Sequence, residues 1–346
     1  MARRGSTHRL MRWLWTSRRL DARLARLALL PAAGLWRLST AARAVARRQG
    51  RATASRSVIP VISFGNLTVG DSGKGPVLAW VARHLAATGA EPGIILRRES
   101  RWARAALEHA VPAARVTSGH AASEDLRRLA EAGARLALVE ADLPLREPDA
   151  ALRVVVLGAE TSRAVRWPVP AGPWRAPWSS LRDADAIVIT RKRATREAAD
   201  VLAQMVAATS SAPIAIAHLG VRHFETLVSG AEQPAAALAG RRVVAASGSA
   251  DPGAFVSQVK ATGAAVQVAT WEASGELRDE DVAWLAHAAR RADFVVISEL
   301  DAAKLRDRWP ARVAEPLVAV IDLTWESGGE ALTAALDAVV ASAATG

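Results

Sequence analysis

A glycine-rich turn between a buried strand and a helix carries the clearest chemical signal in the sequence. It reads VIPVISFGNLTVGDSGKGP over residues 58–76, and Lys74 lies where the helix is predicted to begin. Glycines allow positive φ angles and a close approach of the backbone to a ligand. Backbone N–H groups and the dipole at a helix N-terminus attract phosphate oxygens. The turn therefore predicts a binding site for a phosphate chain.

The turn differs from the Walker A pattern GxxxxGK[ST] in two places. Thr68 stands at the position of the first glycine and Gly75 at that of the hydroxyl, so Ser72 is the nearest source of a metal-binding hydroxyl. A compact ammonium suits a phosphate cradle better than a planar guanidinium. Lysine is rare in this chain, since only four of its 45 Lys and Arg residues are lysines. An ordinary connection between a strand and a helix is the alternative. The residues expected to hold the nucleotide are Thr68, Val69, Gly70, Asp71, Ser72, Gly73, Lys74 and Gly75.

Short aliphatic strands alternate with helical stretches from residue 58 onward, which predicts an α/β fold with parallel sheets covered on both faces. We expect two Rossmann-like or P-loop-type domains, at 57–217 and 241–346, joined by a linker at 218–240 and preceded by an arm at 1–56. Ligands of such sheets bind beyond the carboxyl ends of the strands. The predicted strands are Val58–Phe64, Gly93–Leu96, Leu136–Glu140, Val154–Leu157, Ala186–Thr190, Pro213–Ala217, Arg242–Ala246, Ala265–Thr270, Phe294–Ser298 and Leu317–Asp322.

The basic character of the chain belongs to its N-terminal arm. Residues 1–56 hold 14 Arg and one acid, Asp21, whereas the remainder is close to neutral. In residues 9–40, Leu20, Leu24 and Leu27 form one helical stripe, with arginines on a neighbouring stripe and tryptophans flanking it. The longest uncharged run has ten residues, which is too short to span a bilayer. We expect an amphipathic helix on an anionic membrane surface. A cleaved export signal, a plain cationic tail and a nucleic-acid contact are the alternatives, although leucine and tryptophan favour lipid.

The composition excludes several kinds of site. Without Cys there is no thiolate zinc site, iron–sulfur cluster or thiol nucleophile. The seven His show no HxH or HxxxH spacing, which argues against a metal site built from histidines. A hydrophobic fraction of 51% with 23% charged residues is typical of a globular protein. A length of 346 residues suggests two domains.

Several collinear segments resemble the tetraacyldisaccharide 4'-kinase family of lipid A biosynthesis, of which the chain looks like a divergent member. Val58–Pro76 is similar to the unusual P-loop of that family, and Val169–Pro177 (VPAGPWRAP) to its Leu-Pro-Ala-Gly-Pro-Leu-Arg-Glu-Pro segment. Leu238–Phe255 resembles the opening of its second domain, and Ile297–Leu305 its Thr-Glu-Lys-Asp strand end. The arm matches the membrane-associating helix of the family in position and character.

The resemblance implies a kinase that transfers the γ-phosphate of ATP, with Mg²⁺, to the 4'-hydroxyl of a tetraacyldisaccharide 1-phosphate, the lipid A precursor. Because that acceptor is a lipid, the resemblance also implies a peripheral protein on the cytoplasmic face of the bacterial inner membrane. No nucleic-acid partner is expected.

Two carboxylates are candidates for the remaining chemistry. Where the family has Asp-Asp-Gly-Phe-Gln-His, this chain has Glu140-Ala141-Asp142-Leu143-Pro144-Leu145. Residues i and i+2 of a strand share a face, so Glu140 and Asp142 could hold Mg²⁺ together with Ser72, and either could act in catalysis. Solvated loop acids, or a helix N-cap at Asp142, are the alternative. The altered run also leaves open a nucleotide- or lipid-binding relative without turnover.

Overall fold

The computed structural model describes residues 10–11, 13–15, 17, 19–50, 57–70, 72–97, 101–119, 123–141, 150–161, 166–248, 252–271 and 277–345. The chain divides into two compact units. The unit that contains the glycine-rich turn, here called the P-loop unit, includes the described residues up to Arg97, Val111–His218 and those from Trp325 onward. The second unit includes Leu219–Thr324 and a helix at residues 101–110.

The bounds of the elements follow the chain in order. They are α1 (Leu20–Ala28), α2 (Leu30–Gly50), β1 (Val61–Gly65), α3 (Lys74–Ala87), β2 (Pro92–Leu96), α4 (Arg101–Ala110), β3 (Arg115–Ser118), α5 (Ser123–Glu131), β4 (Leu136–Glu140), β5 (Ala150–Gly158), β6 (Ala186–Arg191), α6 (Arg196–Ala207), β7 (Ile214–Thr226), β8 (Glu232–Gln233), β9 (Arg242–Ser247), α7 (Pro252–Ala261), β10 (Ala265–Thr270), α8 (Asp279–Ala288), β11 (Phe294–Ser298), α9 (Glu299–Leu305), β12 (Leu317–Ser327) and α10 (Gly329–Thr345).

The P-loop unit is built on a parallel sheet in the order β7-β6-β5-β1-β4-β2-β3. All five residues of β1 are buried, as expected for a central strand whose two faces are both covered. Phe64 of β1 pairs in register with Glu140 of β4. Since parallel strands end at a common edge, this register brings Glu140 beside the turn that follows β1.

The second unit contains the parallel order β10-β9-β11-β12. Both faces of β9 and β11 are covered: one packs against α8 and α9, where Leu285 and Leu305 are fully buried, and the other packs against α7. β8 pairs with β7 in an antiparallel arrangement. The predicted α/β class with parallel sheets is thus confirmed.

The compact units differ from the predicted domain ranges at three places. α4 falls within the predicted range 57–217 but packs against α9 of the second unit. α10 falls within the range 241–346 but packs against β5 of the P-loop unit. The predicted linker 218–240 contains most of β7 and all of β8. Chain order predicted the alternation of elements, but it does not reveal which sheet a helix covers.

The N-terminal arm combines small buried residues with large exposed ones. Ala22 and Ala33 are buried, whereas Leu20, Leu24 and Leu27 are each more than half exposed. Among the described residues, every leucine that is at least 37% exposed lies within 10–38. Helices long and apolar enough to cross a bilayer are absent from the part of the chain that the structure describes.

Arg26, one of the arginines on the stripe beside the leucines, is buried in the structure. Its Nη2 donates to the Ser17 carbonyl at 3.0 Å. A buried guanidinium needs such a partner to offset its desolvation. A helical stripe read from the sequence cannot show this, because the partner lies outside α1.

Candidate functional site

The turn between β1 and α3 has the backbone geometry of a phosphate loop. Gly70 and Gly73 have φ angles of 115° and 78°, a region that favours glycine. Gly73 caps α3, and Lys74 is its first residue. The first N–H groups of an α-helix have no intrahelical acceptor, so those of Lys74 and Gly75 are directed toward the turn. This end of α3 is suited to an anion.

The Lys74 ammonium lies at the carboxyl end of β4. Its Nζ is 3.1 Å from Oε1 of Glu140 and donates to the Ala141 carbonyl at 3.0 Å. The Lys74 side chain is 13% exposed and that of Glu140 33%, so the pair is sheltered but reachable. The structure therefore brings together the cation and one of the two carboxylates singled out in the sequence.

Buried hydrogen bonds hold the inside of the turn. Asn66 Nδ2 donates to the Thr68 carbonyl at 2.8 Å and to Ser72 Oγ at 3.3 Å. Thr190, at the end of β6, donates its hydroxyl to the Ser72 carbonyl at 2.7 Å. Asn66 and Thr190 thus support the turn, a role that the motif pattern does not predict. A polar residue at the end of an otherwise apolar strand was the available signal for Thr190.

Replacing Thr190 with valine is expected to lower the free energy of unfolding by about 1–3 kcal/mol, because the buried Ser72 carbonyl loses its donor without a change of shape. Urea unfolding would measure the difference. Thr88→Val is the matched control: the Thr88 hydroxyl bonds to the Leu85 carbonyl at the exposed end of α3, and its loss should cost less than about 0.5 kcal/mol. Equal losses in the two variants would contradict the supporting role of Thr190.

The segment 166–178 lies along the outer side of the turn. Val69 donates its N–H to the Pro173 carbonyl at 2.7 Å, and Arg175 donates its N–H to the Leu67 carbonyl at 2.8 Å. The Val69 N–H is therefore already engaged and is a weaker phosphate donor than the sequence suggested. The arm reaches the same segment, since Trp15 Nε1 donates to the Pro170 carbonyl at 3.0 Å.

Glu160, which the motif pattern does not reveal, follows the end of β5, the other strand that pairs with β1. Its Oε1 accepts N–H groups from Lys192 at 2.7 Å, Arg193 at 3.0 Å and Ala194 at 3.2 Å. Burial alone would raise the pKa of Glu160, but these backbone hydrogen bonds outweigh it and hold the pKa below its usual value. An ionised Glu160 thus fixes the loop that follows β6.

The residues of the turn fit a phosphate chain and a divalent cation. A Cβ built on Gly70 or Gly75 meets no atom within 4 Å, so there is open space beside the turn. Asn66 Oδ1 is buried without a hydrogen-bond partner. Glu140 offers a carboxylate, whereas the Ser72 hydroxyl is buried against Asn66. Asp71 and Asp142 lie outside the described residues.

The chain is similar to known proteins over most of its length. A family model described as tetraacyldisaccharide-1-P 4'-kinase matches residues 25–116 and 149–341. The tetraacyldisaccharide 4'-kinase of Anaeromyxobacter sp. strain K is 32% identical, with 92% of each chain covered. The tetraacyldisaccharide 4'-kinase of Geobacter sulfurreducens is 29% identical, and the match covers 82% of this chain and 85% of that protein.

A solved structure shares the fold. The crystal structure of LpxK from Aquifex aeolicus, described as an "apo" form in complex with ATP, superposes with a TM-score of 0.68. The match covers 91% of this chain and 99% of the other at 19% sequence identity.

Proposed function

This chain belongs to the tetraacyldisaccharide-1-P 4'-kinase family, and we propose that it transfers the γ-phosphate of ATP to the 4'-hydroxyl of a tetraacyldisaccharide 1-phosphate. The observation that carries the proposal is the Lys74 ammonium at the start of α3, 3.1 Å from the Glu140 carboxylate. A cation, a helix N-terminus and a strand-end carboxylate are among the parts that phosphoryl transfer from a nucleotide uses.

The residues of the turn have separate roles in this proposal. Lys74 and the N–H groups at the start of α3 hold the β- and γ-phosphates, and Lys74 balances charge as the γ-phosphate leaves. Glu140, with Asp142 beyond the described residues, would hold Mg²⁺, and the bound ion would supply positive charge that neutralises the triphosphate. Asp142 is the proposed acceptor of the proton from the 4'-hydroxyl.

The test is a transfer assay with [γ-³²P]ATP, Mg²⁺ and tetraacyldisaccharide 1-phosphate in detergent micelles. We expect a labelled lipid whose new phosphate is on the 4' position, identified by mass spectrometry and NMR. The Anaeromyxobacter enzyme, run alongside, verifies the substrate and the micelles. No product from this chain while that enzyme is active would contradict the proposal.

A second candidate is a relative that binds nucleotide and lipid without turnover. Gly75, which replaces the hydroxyl residue after the lysine, and the altered Glu140–Leu145 run favour it. The same assay separates the two candidates, because this one requires ATP binding with no labelled lipid.

Replacing Gly75 with serine is expected to raise kcat/KM for Mg²⁺-ATP about tenfold, since a hydroxyl beside Lys74 adds a charge-assisted contact. The side chain has room, because a Cβ at Gly75 meets no atom within 4 Å. Steady-state kinetics would measure the change. Gly75→Ala, which adds the Cβ without the hydroxyl, should leave kcat/KM near the wild-type value. An unchanged kcat/KM in Gly75→Ser, or an equal rise in Gly75→Ala, would contradict the expectation that a hydroxyl at residue 75 contacts Mg²⁺-ATP.

We also propose that the arm places the protein on an anionic membrane surface, which would be the cytoplasmic face of the inner membrane for a lipid A enzyme. The exposed Leu20, Leu24 and Leu27 on α1 support this, since such a stripe is unfavourable in water. The near-neutral charge of residues 57–346 argues against a nucleic-acid partner for the body of the protein.

Replacing Leu20, Leu24 and Leu27 together with serine is expected to weaken binding to vesicles of phosphatidylglycerol and phosphatidylethanolamine about a hundredfold. Each leucine that no longer enters the acyl boundary loses about 1 kcal/mol. Vesicle cosedimentation in high salt would measure it, because salt suppresses a purely electrostatic contact. The control replaces Val201, Val228 and Val268 with serine in the same way, since these valines are similarly exposed and lie outside the arm. Equal binding by the two triple variants would contradict the proposal.

A further inference from the structure

A cluster of histidine and glutamate side chains lies in the second unit. His223 and Glu225 are two residues apart on β7, so their side chains share one face of the strand. Glu232 of β8 is the direct cross-strand partner of Glu225. His109, in the last turn of α4, approaches from another element. Three groups that can bind a metal thus converge from two strands, and His109 contacts one of them.

The distances between the His223, Glu225 and Glu232 ligand atoms suit a tetrahedral metal ion. His223 Nε2 is 2.8 Å from Glu225 Oε1 and 3.8 Å from Glu232 Oε1, and His109 Nε2 is 3.4 Å from Glu225 Oε2. Ligand atoms about 2.0–2.1 Å from a tetrahedral zinc ion are about 3.3 Å from one another. The ligand atoms of His223, Glu225 and Glu232 all lie within 4.8 Å of one another, the one such group among the residues the structure describes.

The charges of the cluster also favour a divalent cation. Two carboxylates balance the charge of a divalent ion when the imidazoles are neutral. Imidazole nitrogens favour zinc over magnesium, which prefers oxygen ligands.

We propose that His223, Glu225 and Glu232 bind a zinc ion between β7 and β8, and that His109 of α4 orients Glu225 by contacting its second carboxylate oxygen. The site uses none of the residues assigned to phosphoryl transfer, and it explains why two histidines from distant parts of the chain meet one glutamate. The His223 side chain is 19% exposed, so a bound ion would be partly shielded from water. The Glu232 side chain is 74% exposed and would bind the ion from its solvent side.

The test uses the full chain, purified without a histidine tag and stripped of metal with a chelator. Cobalt and zinc would be titrated separately, with visible absorption and thermal melting as readouts. We expect one Co²⁺ per chain with the absorption of tetrahedral coordination, its displacement by Zn²⁺, and a rise in melting temperature with Zn²⁺. His223→Asn should lower the zinc affinity at least about tenfold. Glu232→Gln, at an exposed position, should also lower it without changing the melting temperature of the metal-free protein.

The matched control is His84→Asn. His84 Nε2 lies 2.9 Å from Asp337 Oδ1 in the P-loop unit, a histidine–carboxylate pair outside the cluster, and this variant should bind zinc like the wild type. Absence of tetrahedral Co²⁺ absorption in the wild type, or equal zinc affinities in wild type and His223→Asn, would overturn the proposal. Either result would reduce the cluster to hydrogen-bonded pairs.

Discussion

Replacing Lys74 with alanine is expected to lower kcat/KM for ATP about a thousandfold, or about 4 kcal/mol of transition-state stabilisation. The ammonium is held at the start of α3 by the Glu140 carboxylate and the Ala141 carbonyl. Negative charge on the transferring phosphoryl group therefore develops beside a cation that is already in position. Lys74→Arg should recover little activity, because a planar guanidinium does not fit the same contacts. Steady-state kinetics with varied ATP would measure both variants.

Lys260→Ala provides the matched control for Lys74→Ala. Lys260 lies at the exposed end of α7 in the second unit, so its loss should leave kcat/KM unchanged within about twofold. A Lys74→Ala enzyme with near wild-type kcat/KM would contradict the role given to the ammonium.

Replacing Glu140 with glutamine is expected to lower kcat about a hundredfold and to raise the Mg²⁺ concentration needed for half-maximal rate about tenfold. Glutamine keeps the shape of the side chain but removes the charge that attracts the cation and orients Lys74. Because Glu140 is a third exposed, the free energy of unfolding should change by less than about 1 kcal/mol. Rates measured over a range of Mg²⁺ concentrations separate a metal effect from a stability effect.

The control for Glu140→Gln is Glu131→Gln. Glu131 forms an exposed ion pair with Arg127 on α5, and its replacement should leave both kinetic constants unchanged. If Glu140→Gln lowered kcat without any change in Mg²⁺ dependence, Glu140 would act on Lys74 and not on the metal.

The sequence was most informative where the chemistry is local. The β1–turn–α3 unit could be predicted because strand, glycines and Lys74 are contiguous, and all ten predicted strands are present, with β5, β7 and β12 longer than expected. β3 and β8 were missed. β3 has mixed polarity (RVTS), and β8 has only two residues, so neither gives a periodic pattern.

Long-range contacts could not be predicted from spacing alone. Glu140 was found because strand ends of a parallel sheet share an edge, but the bond from Thr190 to the Ser72 carbonyl depends on the order β6-β5-β1. The absence of HxH or HxxxH spacing argued against a histidine metal site, yet the fold brings His109 and His223 to the same carboxylate. The spacing within a motif predicts ligands that lie on one helix or strand. It cannot predict ligands that the fold brings together from different elements.

The most direct test of the account is the equilibrium binding of a non-hydrolysable ATP analogue, measured by calorimetry in the presence of Mg²⁺. If the triphosphate lies against the start of α3 and Lys74, Lys74→Ala should weaken binding by at least about tenfold, while Lys260→Ala binds like the wild type. Equal affinities in the wild type and Lys74→Ala would contradict the placement of the nucleotide, and with it both the kinase and the relative without turnover.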